Sequence, residues 1–182
     1  MRTHKFIRNI TEQIKEAQMK LGYAKESLRL YYPVQTLNGM LCVSAKDVNE
    51  MLNYLQAEEF QNTELGKLTF SARKDRIEVG ISADGAEYVH KNVEEPKFLK
   101  DLIEFFRNNH HCTISEVEEL FKKHSDTYVC QKMPEGSDFD MVYYFEDFNI
   151  DMYYYCIKEE MGHTIYHRFS REDMVELLKD EY

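Results

Sequence analysis

Residues 136–160 read GSDFDMVYYFEDFNIDMYYYCIKEE, and this stretch decides the fold of the second half of the chain. Side chains of a β-strand alternate between two faces, and two alternating runs, 139–145 and 150–157, flank a short acidic link at 146–149. A four-residue polar link between two such runs is typical of a hairpin. Because neither face is fully polar, we expect one face to pack against helices. The other is expected to form a tyrosine-rich surface that is partly open to water.

The flanking sequence extends this hairpin into an antiparallel meander. Further strands are expected at 127–132 and 164–169, and consecutive strands with short links favour antiparallel pairing. Helical patterns lie on both sides of the meander: a helix over 96–109, a helix capped by Ser115 with Glu118, and a helix capped by Ser170 that carries Met174, Val175, Leu177 and Leu178. The predicted fold class is therefore α+β, with helices packed on an antiparallel sheet.

The first half of the chain is mainly helical. An apolar stripe at helical spacing, made by Ile7, Ile10, Ile14, Ala17 and Leu21, predicts a helix over 4–21. Ser44 with Asp47 three residues later resembles a capping box and predicts a helix over about 45–58. Segment 27–43 stays open between a short strand and a helix that begins at Pro33.

A second hairpin follows these helices. Alternating apolar residues on both sides of Lys74 and Asp75 predict two strands and a tight turn, and Asp84 with Gly85 marks another turn. Segment 86–92 is compatible with a third strand or a helical turn. The order helix, strand, helices and hairpin resembles that of a winged-helix domain, a resemblance of element order that covers about half the chain.

The polar region 82–96 is the predicted domain boundary. It separates a helical part with a β-hairpin, residues 1–92, from helices plus an antiparallel sheet, residues 93–182. One continuous domain is the alternative, since 182 residues suit either arrangement.

Charge is distributed unevenly along the chain, whose net charge is −10. Residues 1–92 carry 13 basic and 12 acidic side chains, whereas residues 93–182 carry 10 basic and 21 acidic ones. Within 135–160 eight acids face one base, Lys158. Such a field repels phosphate backbones and attracts cations or basic partners, so the charge argues against nucleic acid. A solvated surface that keeps the protein soluble is the simplest interpretation, and a surface for a basic protein partner is the alternative.

One stretch resembles the signature of a catalytic family. Residues 136–142, with Gly136-Ser137 ahead of Asp138 and Asp140, look like the latter part of the nucleotidyltransferase signature, in which a third carboxylate, here Asp151, completes a Mg²⁺ site. The departure is that glycine, serine and acids are contiguous here, which leaves no turn to hold the phosphates. An exposed loop and strand end is the favoured interpretation.

No metal site or cofactor is predicted. His110, His111 and Cys112 are adjacent, so their side chains diverge, and His163 and His167 lie about 13 Å apart along a strand. The four cysteines form no Cys-x-x-Cys pair and are expected to be free thiols. The longest apolar run, of about six residues, is too short to span a bilayer, so we expect no membrane insertion and a cytoplasmic location.

The whole chain, and especially the stretch from Lys20-Leu21-Gly22-Tyr23 through Leu30-Tyr31-Tyr32-Pro33, resembles an uncharacterised family of short proteins from gram-positive anaerobes, a domain of unknown function. The resemblance implies no activity, cofactor or site residue.

Our leading hypothesis is a non-enzymatic adaptor or immunity-like protein that binds a basic partner through an acidic, tyrosine-rich sheet. The predicted partner-binding residues are Tyr143, Tyr144, Glu146, Asp147, Tyr153 and Tyr155. The alternatives are a Mg²⁺-dependent nucleotidyltransferase and a winged-helix regulator. The sequence leaves the oligomeric state open.

Overall fold

The computed structural model describes residues 2–171 and 173–175, and it has an α+β fold. The chain divides into two compact units, Met1–Glu95 and Pro96–Tyr182. Each unit has its own hydrophobic core, and each is described separately below.

The first unit is built on α1, Arg2–Leu21, which confirms the predicted first helix. Its stripe of Phe6, Ile10 and Ile14 is fully buried. The helix is terminated by Gly22, which adopts a left-handed conformation with φ of 73°. Phe6 packs edge-on against Tyr32, with ring centroids 6.1 Å apart, and the Tyr32 hydroxyl donates to Asn9 Oδ1 at 2.8 Å.

The open segment 27–43 contains both a strand and a helix. Strand β1 spans Leu28–Pro33, and α2, Val34–Leu41, begins immediately after Pro33. Proline has no N–H to donate, so it is tolerated at this junction. Helix α3 spans Val48–Leu55 and is capped by Asp47, whose side chain accepts from the N–H groups of Asn49 and Glu50. The predicted Ser44–Asp47 capping box was wrong, because Asp47 is itself the N-cap.

The main sheet of the first unit has three strands. The predicted hairpin is formed by β4, Thr69–Arg73, and β5, Arg76–Ile81, and β1 pairs antiparallel with β5, so the strand order is β1-β5-β4. Ile77, Val79 and Ile81 point into the core. A one-turn helix, α4 at Glu58–Gln61, and a minimal hairpin of β2, Asn62–Thr63, and β3, Gly66–Lys67, lie between α3 and β4 and were not predicted.

Segment 86–92 is helical, within α5, Ala83–Asn92. The turn predicted at Asp84 and Gly85 was wrong. Ser82 caps the helix by accepting from the Gly85 N–H at 3.2 Å, so both residues lie in its first turn.

The second unit places two helices on one face of a four-stranded sheet. Its elements are α6, Lys97–Asn108, α7, Ile114–His124, β6, Tyr128–Lys132, β7, Met141–Phe145, β8, Tyr154–Glu160, and β9, His163–Phe169. Every neighbouring pair is antiparallel and the order is β6-β7-β8-β9, which confirms the meander. The α7 capping box is Thr113 with Glu116, slightly earlier in the chain than the predicted Ser115 with Glu118.

Both faces of this sheet are covered at its centre. On one face, Phe121 stacks on Tyr143 at 4.9 Å, and Phe98 meets Tyr155 edge-on at 5.2 Å. On the other face, Val142 and Cys156 are buried with Met174, which follows the Ser170 cap. Leu177 and Leu178 of the predicted last helix lie outside the described residues. The sheet is therefore a buried layer at its centre, and solvent reaches it mainly at its ends and edges.

Candidate functional site

The link between β7 and β8 is longer than predicted and forms an exposed loop. It spans residues 146–153, and we call it the acidic loop. Its turn is held by Asp147, whose Oδ1 accepts from the Asn149 N–H at 2.9 Å and from Asn149 Nδ2 at 2.8 Å. The Ile150 N–H donates to the Asp147 carbonyl at 3.1 Å. Phe148 lies within this turn and is 63% exposed.

The far side of the acidic loop is anchored by a buried ion pair. Asp151 Oδ2 lies 3.8 Å from Arg168 Nη2 on β9, and both side chains are less than 5% exposed. Asp151 Oδ1 also accepts from the Tyr153 N–H at 2.8 Å. The Arg168 guanidinium lies 3.5 Å from the centroid of the Tyr153 ring, a cation–π contact. These contacts fix the loop to the neighbouring strand, so the exposed tip stands on a rigid base.

Three of the predicted partner-binding tyrosines are buried. Tyr143 and Tyr155 are fully buried and Tyr153 is 4% exposed, so their rings are not available to a partner. They were misassigned because helices cover the face that Tyr143 and Tyr155 occupy and Arg168 covers Tyr153. Burial, followed by the neighbouring Cys130, raises the pKa of Tyr143 well above its usual range.

The remaining predicted residues stay at the surface. Glu146 and Asp147 are exposed, and Tyr144 is half-buried. Tyr144 packs on Tyr154 with ring centroids 4.7 Å apart, so these two rings flank the acidic loop where β7 ends and β8 begins. Burial, followed by Tyr154 and Glu146, raises the pKa of Tyr144. Phe148 was missed, although an apolar residue inside a polar turn was a usable signal.

The acids of 135–160 do not form one patch. Asp140 Oδ2 accepts from the Glu159 N–H at 2.7 Å, at the end of the sheet where β7 begins, whereas Asp151 lies at the opposite end. Asp138 is exposed in the loop before β7. The carboxylates needed for a shared Mg²⁺ are therefore not brought together. Within residues 2–171 and 173–175, no group of three or more His, Cys, Asp or Glu side chains could hold a metal ion.

One side-chain pair was not visible in the sequence. His111, in the loop between α6 and α7, packs against His163 at the start of β9, with ring centroids 4.6 Å apart. The two residues are far apart in the chain, so residue spacing carried no signal for their contact.

Among the described residues, no helix is long and apolar enough to cross a membrane. The four cysteines are free thiols.

The architecture defines a class: a two-unit α+β protein whose first unit combines helices with a three-stranded sheet and whose second unit is built on an antiparallel meander. Its chain belongs to the family described as a domain of unknown function from E. rectale, DUF3877, whose family model matches residues 3–178. No curated protein and no solved structure matches the chain.

Proposed function

We propose that this protein is a non-enzymatic interaction protein that binds a basic partner on the acidic loop. The observation that carries the proposal is the exposure of Phe148 on a loop whose other side is fixed by Asp151 and Arg168. An exposed aromatic side chain on a rigid support loses little conformational entropy on binding, which favours affinity.

The surroundings of Phe148 specify the chemistry of the partner. Glu146 and Asp147 are exposed beside it, and Met152 adds a partly exposed apolar surface, at 37%. Carboxylates at the rim of an interface steer a basic partner and raise the association rate. The half-buried pair Tyr144 and Tyr154 supplies further contact area.

The test uses three versions of the protein as bait in a cytoplasmic extract, the compartment predicted from the sequence. One bait is the natural protein, one carries Glu146→Gln with Asp147→Asn, and one carries Glu135→Gln with Asp138→Asn. The last is the matched control, because it makes the same charge change at the opposite end of the sheet. The Asp147→Asn change keeps a side-chain oxygen that can accept from Asn149.

A basic protein retained by the natural bait and the control bait, and missing from the loop bait, is the expected result. Its association should slow as salt shortens the Debye length from about 10 Å at 0.1 M to about 3 Å at 1 M. Phe148→Ala should mainly speed dissociation, because buried aromatic anchors govern the off-rate. Equal retention by all three baits would refute the loop as the docking site.

A second function, nucleic-acid binding by the first unit, is favoured by one observation. The β4–β5 hairpin occupies the wing position and exposes Lys74 and Arg76 beside Asp75, whereas Arg73 is paired with Glu78 of β5 at 3.0 Å. Lysine and arginine side chains at such a tip contact phosphates. The solvent side of α3 presents Asn49 and Asn53, and amides of this kind hydrogen-bond to adenine in the major groove.

This second function is tested by anisotropy of a fluorescent DNA duplex at low salt. Lys74→Gln with Arg76→Gln should weaken binding. The same double variant should make the slope of log affinity against log salt shallower, by about 0.9 for each phosphate that the wing no longer neutralises. Arg8→Gln with Lys20→Gln, which removes two exposed cations from α1, is the control. Absence of duplex binding by the natural protein, or equal binding by both variants, would exclude the β4–β5 hairpin as a DNA-binding element.

A further inference from the structure

We infer that His111 and His163 form a two-histidine site for a borderline divalent ion, Zn²⁺, at the end of the sheet opposite the acidic loop. The inference is independent of the proposed function. It starts from the packing of the two rings, whose centroids are 4.6 Å apart and whose planes are inclined by 35°. Both side chains are exposed, so an ion can reach them from solvent.

The hydrogen bonds of the two rings are reciprocal. His111 Nδ1 faces the carbonyl of Gly162, the residue before His163, at 3.4 Å. His163 Nδ1 faces the carbonyl of His110, the residue before His111, at 3.0 Å. A carbonyl oxygen can only accept, so each Nδ1 must carry the hydrogen. In the neutral ring the lone pair then lies on Nε2.

This arrangement is the one found around metal-binding histidines. A ligating imidazole usually donates its other N–H to a carbonyl or carboxylate, which sets the tautomer and the ring orientation. Among the described residues, neither Nε2 atom has another hydrogen-bond partner. Two Zn–N bonds of about 2.0–2.1 Å allow the two ligating nitrogens to lie up to about 4 Å apart, and the centroids of the two rings lie 4.6 Å apart. Binding of one ion by both rings requires each Nε2 lone pair to turn towards that ion.

Contacts of the neighbouring residues hold the two histidines in place. The Thr164 hydroxyl, next to His163, donates to the carbonyl of Cys112, next to His111. Helix α7 follows the α6–α7 loop closely and begins with a complete capping box. Both histidines are thus held on the α6–α7 loop and the β8–β9 turn by contacts that do not involve their rings.

The electrostatics of this end of the sheet favour a cation. The β6–β7 loop and the ends of β8 and β9 meet here, since the strands are antiparallel neighbours. They carry five acids, Glu135, Asp138, Asp140, Glu159 and Glu160, against Lys132 and Lys158. Such an excess raises the local concentration of cations.

The ion class follows from the ligands. Imidazole nitrogen suits Zn²⁺, Cu²⁺ and Ni²⁺, whereas Mg²⁺ and Ca²⁺ prefer oxygen. With two protein ligands, the other coordination positions face water. A groove of about 690 Å³ lined by Phe106, Asn109, His110 and His163–Tyr166 opens beside one ring and leaves space for them.

The experiment is a Zn²⁺ titration of the full chain at about pH 7.5, where an ordinary imidazole is neutral. Calorimetry gives the stoichiometry, and long-range proton–nitrogen NMR of the histidine rings identifies the nitrogens that shift. We expect one Zn²⁺ per chain, with shifts at Nε2 of His111 and His163. Mg²⁺ should give neither heat nor shifts.

Three variants localise the site. His111→Gln and His163→Gln should each weaken Zn²⁺ binding at least tenfold, since even the partners of metal-binding histidines contribute about 10–100-fold. His167→Gln is the matched control. His167 lies on the same strand as His163, but its ring packs on Phe139, with ring centroids 5.2 Å apart. The Zn²⁺ affinity of this variant should match that of the natural protein.

Stability provides a second readout for these proteins. Zn²⁺ should raise the melting temperature of the natural protein and of His167→Gln, and at the same Zn²⁺ concentration should raise that of His111→Gln less. Amide NMR spectra recorded without metal show whether each variant is folded. If His163→Gln is unfolded, the test of the site rests on His111→Gln alone. A Zn²⁺ affinity in His111→Gln equal to that of the natural protein, or no binding by the natural protein, would overturn the site.

Discussion

At the scale of single residues, Asp151 and Arg168 form a buried ion pair in the second unit. Their side chains are almost fully buried, with Oδ2 and Nη2 3.8 Å apart. Removing the charge of one member of a buried pair leaves the other charge less compensated in a medium of low dielectric constant, which destabilises the fold. The conformation at the base of the acidic loop therefore depends on the charges of these two residues as well as on their size.

We predict that Asp151→Asn lowers the free energy of unfolding by about 3–5 kcal/mol. Asparagine keeps the size of the side chain and an oxygen for the Tyr153 N–H, so the loss isolates the charge. Urea denaturation followed by circular dichroism measures it. Asp138→Asn, on an exposed carboxylate, should change stability by less than about 0.5 kcal/mol. Similar small effects for both variants would contradict the prediction.

A second residue-scale prediction concerns Glu87 on α5. Lys91 Nζ at 2.6 Å and Lys25 Nζ at 2.9 Å hold the pKa of this carboxyl at about 2, below its ordinary value of 4.5. A lowered pKa in the folded state contributes stability that is present above pH 4.5 and is lost as pH falls towards 2.

Carbon-detected NMR of the Glu87 carboxyl should therefore show a midpoint near 2. Lys91→Gln should move the midpoint upward, because the largest stabilising contact of the carboxylate is removed. Added salt should move it in the same direction, since the pair is at the surface. A midpoint close to 4.5 in the natural protein would contradict the contacts described.

At the scale of elements, α5 shows how a close approach selects a glycine. A Cβ atom on Gly85 would lie 2.3 Å from the carbonyl oxygen of Leu65 and 3.0 Å from Ile81 Cγ2. The first of these atoms belongs to the backbone of the segment between β2 and β3, so it cannot turn away as a side chain can. Gly85 thus allows the first turn of α5 to pack directly on that segment.

Gly85→Ala should accordingly destabilise the first unit by about 1–3 kcal/mol, the usual cost of overpacking. In an unobstructed helix the same change would stabilise by about 1 kcal/mol, so the sign of the effect distinguishes the two situations. Thermal unfolding followed by circular dichroism gives the answer. A rise in melting temperature would show that α5 is free to shift away from Leu65.

At the scale of the whole molecule, the chain has two separate sets of core side chains. One core runs from Phe6 to Val89 within the first unit. The second unit centres on Phe98, Phe121 and Tyr155, whose rings are mutual neighbours. Because each unit buries its own apolar surface, each has the main requirement for folding alone.

We therefore predict that fragments 1–95 and 96–182 fold independently. Each should unfold cooperatively with denaturant, and each should reproduce the amide chemical shifts of its half of the full chain away from the cut. A fragment that is soluble but lacks cooperative unfolding would show that its core is completed by the other half. That outcome would favour the single continuous domain left open by the sequence.

The sequence by itself determined the elements whose signal is local. The helix at α1, the β4–β5 hairpin and the four strands of the meander were predicted, since apolar periodicity and turn residues are read over a few positions. Family membership and the uneven charge followed from the sequence as well. Capping residues were misplaced by a few positions at α3 and α7, because several nearby residues have suitable side chains.

Only the tertiary structure decided which of these residues are accessible and which meet. Tyr143 and Tyr144 are neighbours of the same type, yet one is fully buried because Phe121 stacks on it, and the other remains partly open. The contacts of His111 with His163 and of Asp151 with Arg168 join different strands and loops. Such pairs depend on how helices, strands and loops pack together. Packing brings together residues that are distant in the chain, so no local sequence pattern encodes it.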